Sequence, residues 1–424
     1  MNIAKTIIGK INTQKPIVIW GAGISGLLMG YYLKKHGHKI RIKEVASRPG
    51  GKISTSVEHG HVIEHAANAL FLDIHGYNLL SELKLLDQII IPSKKLKRLI
   101  GFNDTFHSIF SQISIFHLLK NILCKTPPYK ELLTLEEFFI PWLGKKTIEQ
   151  ILNPALSGIY ASDCKNILLN TLFSFDSHNY PSSYAHFIQT LRRNRKNASH
   201  SPIKGTISFK GGMKTFIMAI EKKLTEDIEY NCKDFPLWDQ ENTILCTDAL
   251  TASKLLTNYS PKVAQLLKNI SYEKLNSHTL LLNKEISSLR SSFGALFTQD
   301  YSAKNHHILG ILANHNIFPC NNPTYSSYTF ISKKIDQPTN VLLKMINTFQ
   351  KDINAHNLIF SQSSSWEQGL PLYNKVRYES VSSLHQLLDY QSGLCLFGNY
   401  VAGISMREMI QAAQLFANNT KNTI

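Results

Sequence analysis

The stretch Ile17 to Lys52, IVIWGAGISGLLMGYYLKKHGHKIRIKEVASRPGGK, constrains the fold more than any other part of the chain. Ile17 to Trp20 is an apolar run of strand length that leads straight into Gly21-Ala22-Gly23-Ile24-Ser25-Gly26. Leu27 to Lys35 continues with apolar Leu27, Leu28, Tyr31 and Tyr32 at helical spacing, and Lys39 to Lys43 alternates like a second strand. Strand, glycine-rich turn and helix in this order form a dinucleotide-binding βαβ unit. Gly21 permits the tight turn, Gly23 lets backbone approach a pyrophosphate, and Gly26 lets the helix lie close to the strand. Ile24 and Ser25 open that helix, whose free N–H groups and partial positive charge suit phosphates. Glu44 stands 18 residues after Gly26, at the end of the second strand, where a carboxylate accepts ribose hydroxyls. With its neighbour Val45 it is assigned to the adenosine end. The acid disfavours a 2′-phosphate, and with it NADP.

The remainder must fold around that unit. Of 424 residues, 43% are hydrophobic and 18% charged, enough apolar material for a real core and for two or three domains. Lys and Arg number 46 against 30 Asp and Glu, a net charge of +16 that suits an anionic partner. No zinc-finger spacing and no RNA-binding aromatic motif occurs, so nucleic acid is not the expected partner. Cysteines 124, 164, 232, 246, 320 and 395 are scattered without a CxxC pair, which reads as reduced thiols in a cytosolic compartment. The first residues lack the apolar core and cleavage site of a signal peptide. No run of about 18 apolar residues offers a spanning helix.

Two further segments point past the bare nucleotide unit. Arg48-Pro49-Gly50-Gly51-Lys52 follows the acid closely, and a second glycine pair with flanking cations can wrap the far side of a pyrophosphate. It resembles the ExxxRxGG(R/K) segment of the flavin amine oxidase superfamily, with Lys52 in place of the usual Arg, which keeps the charge and loses the planar fork. At the other end, LCLFGNYVAGISMREMIQAAQLF gives a strand, a turn at Gly398-Asn399-Tyr400, and Gly403-Ile404-Ser405 opening a helix at Met406. The GNYxxGIS wording resembles the protoporphyrinogen oxidase family, flavoenzymes of haem synthesis. Other segments resemble that family in order: Glu64-His65-Ala66-Ala67-Asn68, Lys97 to Ile100 with Phe106-His107, Asn153-Pro154-Ala155-Leu156-Ser157-Gly158-Ile159-Tyr160-Ala161-Ser162-Asp163, Lys210 to Met213, Ser292 to Leu296, and Trp366 to Tyr373. Ala66-Ala67 departs from the family's Gly-Pro, and Asn231 to Asp234 is unusual beside the adenine. Arg192 to Lys196 reads as an inserted loop.

The resemblance implies FAD as cofactor, held by the residues named from Gly21 to Lys52 and by Asn399, Gly403, Ile404 and Ser405. It implies an α/β fold: an FAD-binding Rossmann-like domain (14–84, 203–256 and 385–424), a mixed-sheet substrate domain (85–103 and 257–384), and a helical insertion (104–202). It implies oxidation of protoporphyrinogen IX by hydride transfer to the flavin, with oxygen or a quinone as electron acceptor. The N-terminus of the helix at Met406 would face the pyrimidine edge of the flavin. Arg98 would clamp a propionate of the anionic porphyrinogen, Asn68 would sit near the ring, and Gly158 would let the macrocycle approach backbone. The flavin carries the hard step, and no catalytic acid, nucleophile or metal site is expected among the side chains. The alternatives are oxidation of coproporphyrinogen III to coproporphyrin III, another oxidoreductase of the flavin amine oxidase type such as an amine oxidase or a polyene desaturase, and a non-catalytic flavin- or tetrapyrrole-binding protein. The apolar stripe Ile109, Phe110, Ile113, Phe116, Leu119 and Leu123, with Lys120 and Lys125 nearby, reads either as a core-facing helix or as one lying in a membrane surface. The implied location is cytoplasmic, with peripheral attachment to the inner face of the cell membrane left open.

Overall fold

A computed structural model describes residues 7–12, 15–112, 119–197, 201–203, 205–238, 240–318, 324–333, 338–388 and 393–421. The first apolar run forms the strand Ile17–Trp20, buried along its whole length. It is the middle strand of a five-stranded parallel sheet, ordered Ile228–Glu229, Ile40–Lys43, Ile17–Trp20, Asn242–Leu245, Leu394–Leu396. Both faces are covered, as an all-parallel sheet requires. On one side Leu27, Leu28 and Leu33 pack with Phe216, Ile220, Ile410 and Ala413; on the other, Val18 and Leu245 meet Ala252, Leu267 and Leu384. The helix Ile24–Lys35 buries Ser25 to Leu33 without interruption because helices crowd it on several sides.

The second layer is a seven-stranded mixed sheet, ordered Leu358–Pro371, Tyr272–Leu282, Ser326–Ser332, Ile308–Ala313, Ser292–Phe297, Lys97–Phe102, Thr105–Ser108. Only Ser292–Phe297 and Lys97–Phe102 run parallel. One face carries Leu280, Phe297, Ile311, Tyr328 and Phe330 against Leu342, Met345 and Ile346 of the helix Pro338–Phe349. The opposite face turns toward the parallel-sheet domain. There the edge strand Leu358–Pro371 lies on the hairpin Thr55–Glu58/His61–Glu64 and its exit: Ser56 Oγ donates to Gln362 Oε1 at 3.1 Å, and Trp366 Nε1 to the His65 carbonyl at 3.0 Å.

The helical segment is organised around aromatic side chains, with Phe138, Phe139, Trp142, Tyr184 and Phe187 in one buried cluster. Its helix Leu135–Thr147 starts at a capping box in which Thr134 and Glu137 satisfy each other's backbone N–H. Two expectations change here. The stretch from 104 does not begin as helix: Asn103 and Asp104, both at positive φ, turn a hairpin whose second strand is Thr105–Ser108. Arg192, Arg193 and Asn194 are not in a loop but in the helix Tyr184–Asn197. That helix buries Tyr184 and Phe187 and leaves Arg192 and Arg193 to solvent. Ile113 and Phe116 lie outside the described residues. Nearby, Leu119 and Leu123 are 61% and 80% exposed, so at those positions the stripe does not enter a core. Among the described residues no helix is long and apolar enough to cross a membrane.

Candidate functional site

The dinucleotide cradle is built where the strand Ile17–Trp20 ends. Gly21, at φ 103°, donates its N–H to Lys43 O at 2.8 Å and so locks the turn to the second strand. A Cβ on Gly26 would stand 1.8 Å from Gly21 O, so helix and turn touch backbone to backbone. The second glycine turn packs on the first: Gly50 N donates to Ala22 O at 2.8 Å, and a Cβ on Gly51 would come 3.2 Å from Gly23 Cα. Ile24 opens the helix, and Ser25 Oγ faces Met409 Sδ at 3.5 Å, which joins the near and far ends of the chain.

These residues fit FAD by the chemistry of their donors and acceptors. The helix at Ile24 has no side-chain cap and no acid in its first turn, so its leading N–H groups are available to a pyrophosphate. A Cβ on Gly23 would meet nothing closer than Gly51 Cα at 4.0 Å, which leaves room over the turn. Glu44 is buried, and its carboxylate accepts from Ala22 N at 2.6 Å and Ala46 N at 2.8 Å. Each oxygen keeps a lone pair, so the acid is held in place and can still accept ribose hydroxyls. Beyond it, Asn231 N and Cys232 N bond to Ala46 O and Glu44 O, so the unusual 231–234 segment joins this site through backbone. Val45 is exposed beside it.

The cations stand differently from the sequence expectation. Arg48 donates to Pro49 O at 3.1 Å and Gly51 O at 3.0 Å, bracing the second glycine turn. Lys52 reaches across the domain boundary to the Gln368 and Gly369 carbonyls and lies over the Tyr272 ring. Burial pushes its ammonium down to about 8. At the far end, Glu408 Oε2 accepts from Ser405 Oγ at 2.9 Å and Ser405 N at 3.4 Å, and Ser405 Oγ accepts from Glu408 N at 3.2 Å. The N-terminus of the helix Met406–Lys421 therefore carries its own acid. Gly403 holds the bend before it at φ 106°, and Ile404 packs toward the aromatic cluster. Asn399 O accepts from Tyr373 OH.

Arg377, which the sequence reading did not single out, supports this bend from below. It is 2% exposed, donates to Tyr400 O at 2.8 Å and Val401 O at 3.3 Å, and stacks 4.1 Å from the Tyr373 ring. Glu64, named only as part of a motif, is a buried acid that accepts from Met213 N at 2.6 Å and Thr55 Oγ1 at 2.7 Å. Burial pushes its carboxyl up to about 7 against those two donors.

Asn68 donates to Ala66 O at 3.2 Å, while its buried Oδ1 has no partner among the described residues and is a ready acceptor. Arg98 is exposed on the sheet face turned toward the cofactor domain, 5.7 Å from the Phe293 ring. Gly158 is exposed, and a Cβ there would stand 2.6 Å from Leu296 Cδ2, so its need for glycine comes from the approach of helix to sheet. No cluster of metal-ligating side chains occurs among the described residues.

Residues 19–83 match the NAD(P)-binding Rossmann-like domain model. Protoporphyrinogen oxidase 2 of Arabidopsis thaliana is 22% identical over 93% of this chain and 92% of its own. Coproporphyrinogen III oxidase of Bacillus subtilis is 24% identical over 50% of this chain and 51% of its own. The fold matches that of a crystal structure from Exiguobacterium sp. 255-15, provisionally named a protoporphyrinogen oxidase, with a TM-score of 0.76, 16% identity, and coverage of 98% of this chain and 100% of that one. In sequence along nearly its whole length and in fold, the chain is thus similar to proteins named protoporphyrinogen oxidase, and it carries their kind of Rossmann-like cofactor domain.

Proposed function

We propose that the chain is an FAD-dependent oxidase of a porphyrinogen, with protoporphyrinogen IX as the first candidate substrate. What supports this reading is the two-turn glycine cradle, Gly21 to Gly26 and Gly50 to Lys52, tied through Lys52 to the edge strand of the seven-stranded sheet, in a chain similar along 93% of its length to a protein named protoporphyrinogen oxidase. FAD held by Glu44 and the helix at Ile24 would supply the hydride acceptor, with oxygen or a quinone as the final electron acceptor. The protein's part is binding and orientation. Glu44 and the uncapped helix at Ile24 hold the adenosine and pyrophosphate ends, and Arg98 offers a bidentate donor to a propionate. Asn68 Oδ1 offers an acceptor suited to a pyrrole N–H or a flavin edge. Similarity to a coproporphyrinogen III oxidase over half the chain supports that substrate as the second candidate. The exposed Leu119 and Leu123 favour a peripheral contact with a membrane surface.

Anaerobic mixing of the yellow protein with each porphyrinogen tests the reading. Bleaching of the visible flavin band is the expected result. Protein with a full complement of FAD that neither substrate bleaches overturns it and leaves amines, polyenes or a non-catalytic binding role.

A further inference from the structure

A cavity of about 210 Å³ opens where the helical segment, the seven-stranded sheet and the link Leu372–Asn374 meet, and it is lined by none of the residues assigned above to cofactor or substrate. Most of its polar groups are engaged with one another. Asp163 accepts from Asn166 Nδ2 at 2.8 Å and from Gln299 Nε2 at 3.0 Å, and Ser157 Oγ donates to Ser162 O at 3.2 Å. Donors are nevertheless left over. Lys333 has three N–H groups and spends one on Glu273 at 3.1 Å. Asn374 Oδ1 accepts from Arg377 N at 3.0 Å, which orients the amide with Nδ2 free to donate. Among the described residues neither that Nδ2 nor the Ser162 hydroxyl has a partner. The two carboxylates that line the cavity each face a cation, Glu273 facing Lys333 and Asp163 lying 3.7 Å from Lys165.

The cavity adjoins the surface assigned to the macrocycle. Ser157 lines it, and the next residue, Gly158, touches Leu296 of the sheet. Arg98 is level with Gly294, Leu312 and Thr329 across three strand pairs. Lys333 follows Thr329 by four residues, just past the end of that strand, and its ammonium pairs with Glu273 of the neighbouring strand. Three strand spacings and four residues of rise separate their Cα atoms by roughly 20 Å. Two long cationic side chains set that far apart suit carboxylates on opposite edges of one ring.

We propose that this cavity receives a carboxylate arm of the substrate, with Lys333 and Asn374 as its donors, and forms a second anion site remote from Arg98. The proposal rests on the porphyrinogen reading and sharpens it. Protoporphyrinogen IX carries its two propionates on one edge and cannot reach both sites. Coproporphyrinogen III carries four around the ring and can.

The test uses the full-length, FAD-loaded protein with both porphyrinogens. Lys333→Met raises KM for coproporphyrinogen III by about 10- to 100-fold, the value of a charge-assisted hydrogen bond in a sheltered site. It leaves KM for protoporphyrinogen IX within about twofold, and Lys333→Arg restores the first substrate. Equal effects on both substrates, or none on either, overturn the second site while leaving the porphyrinogen reading in place. Wild-type protein with the same kcat/KM for both also overturns it, with no variant needed if Lys333→Met fails to fold. Flavin that neither porphyrinogen reduces overturns the functional reading and the second site together.

Discussion

Glu64 sets a pH dependence that its surroundings allow to be worked out. The carboxyl is 2% exposed, between the hairpin that pairs Thr55 with Glu64 and the turn at Gly212-Met213, where a Cβ on Gly212 would stand 2.6 Å from Glu64 Oε1. Burial raises its pKa from 4.5 to about 7, although two hydrogen bonds favour the charged form. The folded protein therefore holds this proton more tightly than the unfolded chain. The group's contribution to stability is fully present below pH ~4.5 and is lost as pH rises through about 7. A shift of that size corresponds to roughly 3 kcal/mol between the two limits. Glu64→Gln keeps the shape and an acceptor for Met213 N while removing the titration. For a chain of 424 residues the variant should gain roughly 3 °C in melting temperature over wild type on going from pH 5 to pH 8. The assay is thermal unfolding of both proteins at fixed FAD concentration, since bound cofactor itself shifts the midpoint. A variant less stable than wild type by the same amount at every pH refutes the reasoning, because the carboxylate's two hydrogen bonds would then outweigh its desolvation.

Gly26→Ala places a methyl group 1.8 Å from Gly21 O and should abolish stoichiometric FAD binding, read as the flavin-to-protein absorbance ratio; a fully yellow variant would contradict the close approach drawn above. Arg98→Ala should raise KM for a porphyrinogen by about 10- to 100-fold with kcat little changed, because it removes a charge-assisted contact made by substrate and transition state alike. A fall in kcat alone would place Arg98 outside substrate binding.

The nucleotide unit was legible because its signals are local. Strand, turn, helix and acid fall within 28 residues of Ile17, and each is fixed by side-chain period or by the need for glycine. The strands at Ile244 and Leu394 were legible as elements, but their places beside Ile17–Trp20 were not. Strand order is decided by pairings between segments hundreds of residues apart. The run Arg192-Arg193-Asn194 misled for another reason. A cluster of cations reads as solvated loop, yet Tyr184, Phe187 and Ile188 anchor the same helix in the aromatic cluster, and the charged end continues it into solvent.

The site shows the same division between local and distant causes. Ser405-Met406-Arg407-Glu408 is an [S/T]-x-x-[D/E] signature, so the capped N-terminus of the last helix could have been read from four residues. A helix end whose N–H groups already serve Glu408 offers less to a flavin than a bare one. Lys52 could not have been read in this way, because its carbonyl partners lie 316 and 317 residues away. With Arg48 bracing its own turn and Lys52 tied to the Leu358–Pro371 strand, the leading backbone N–H groups at Gly23 to Gly26 remain as donors for a pyrophosphate. Replacing the usual Arg by Lys at position 52 gives up the planar fork, yet one ammonium still reaches both the Gln368 and the Gly369 carbonyl. What the lysine does instead is tie the cofactor domain to the edge of the seven-stranded sheet, with a charge that burial has made easier to neutralise.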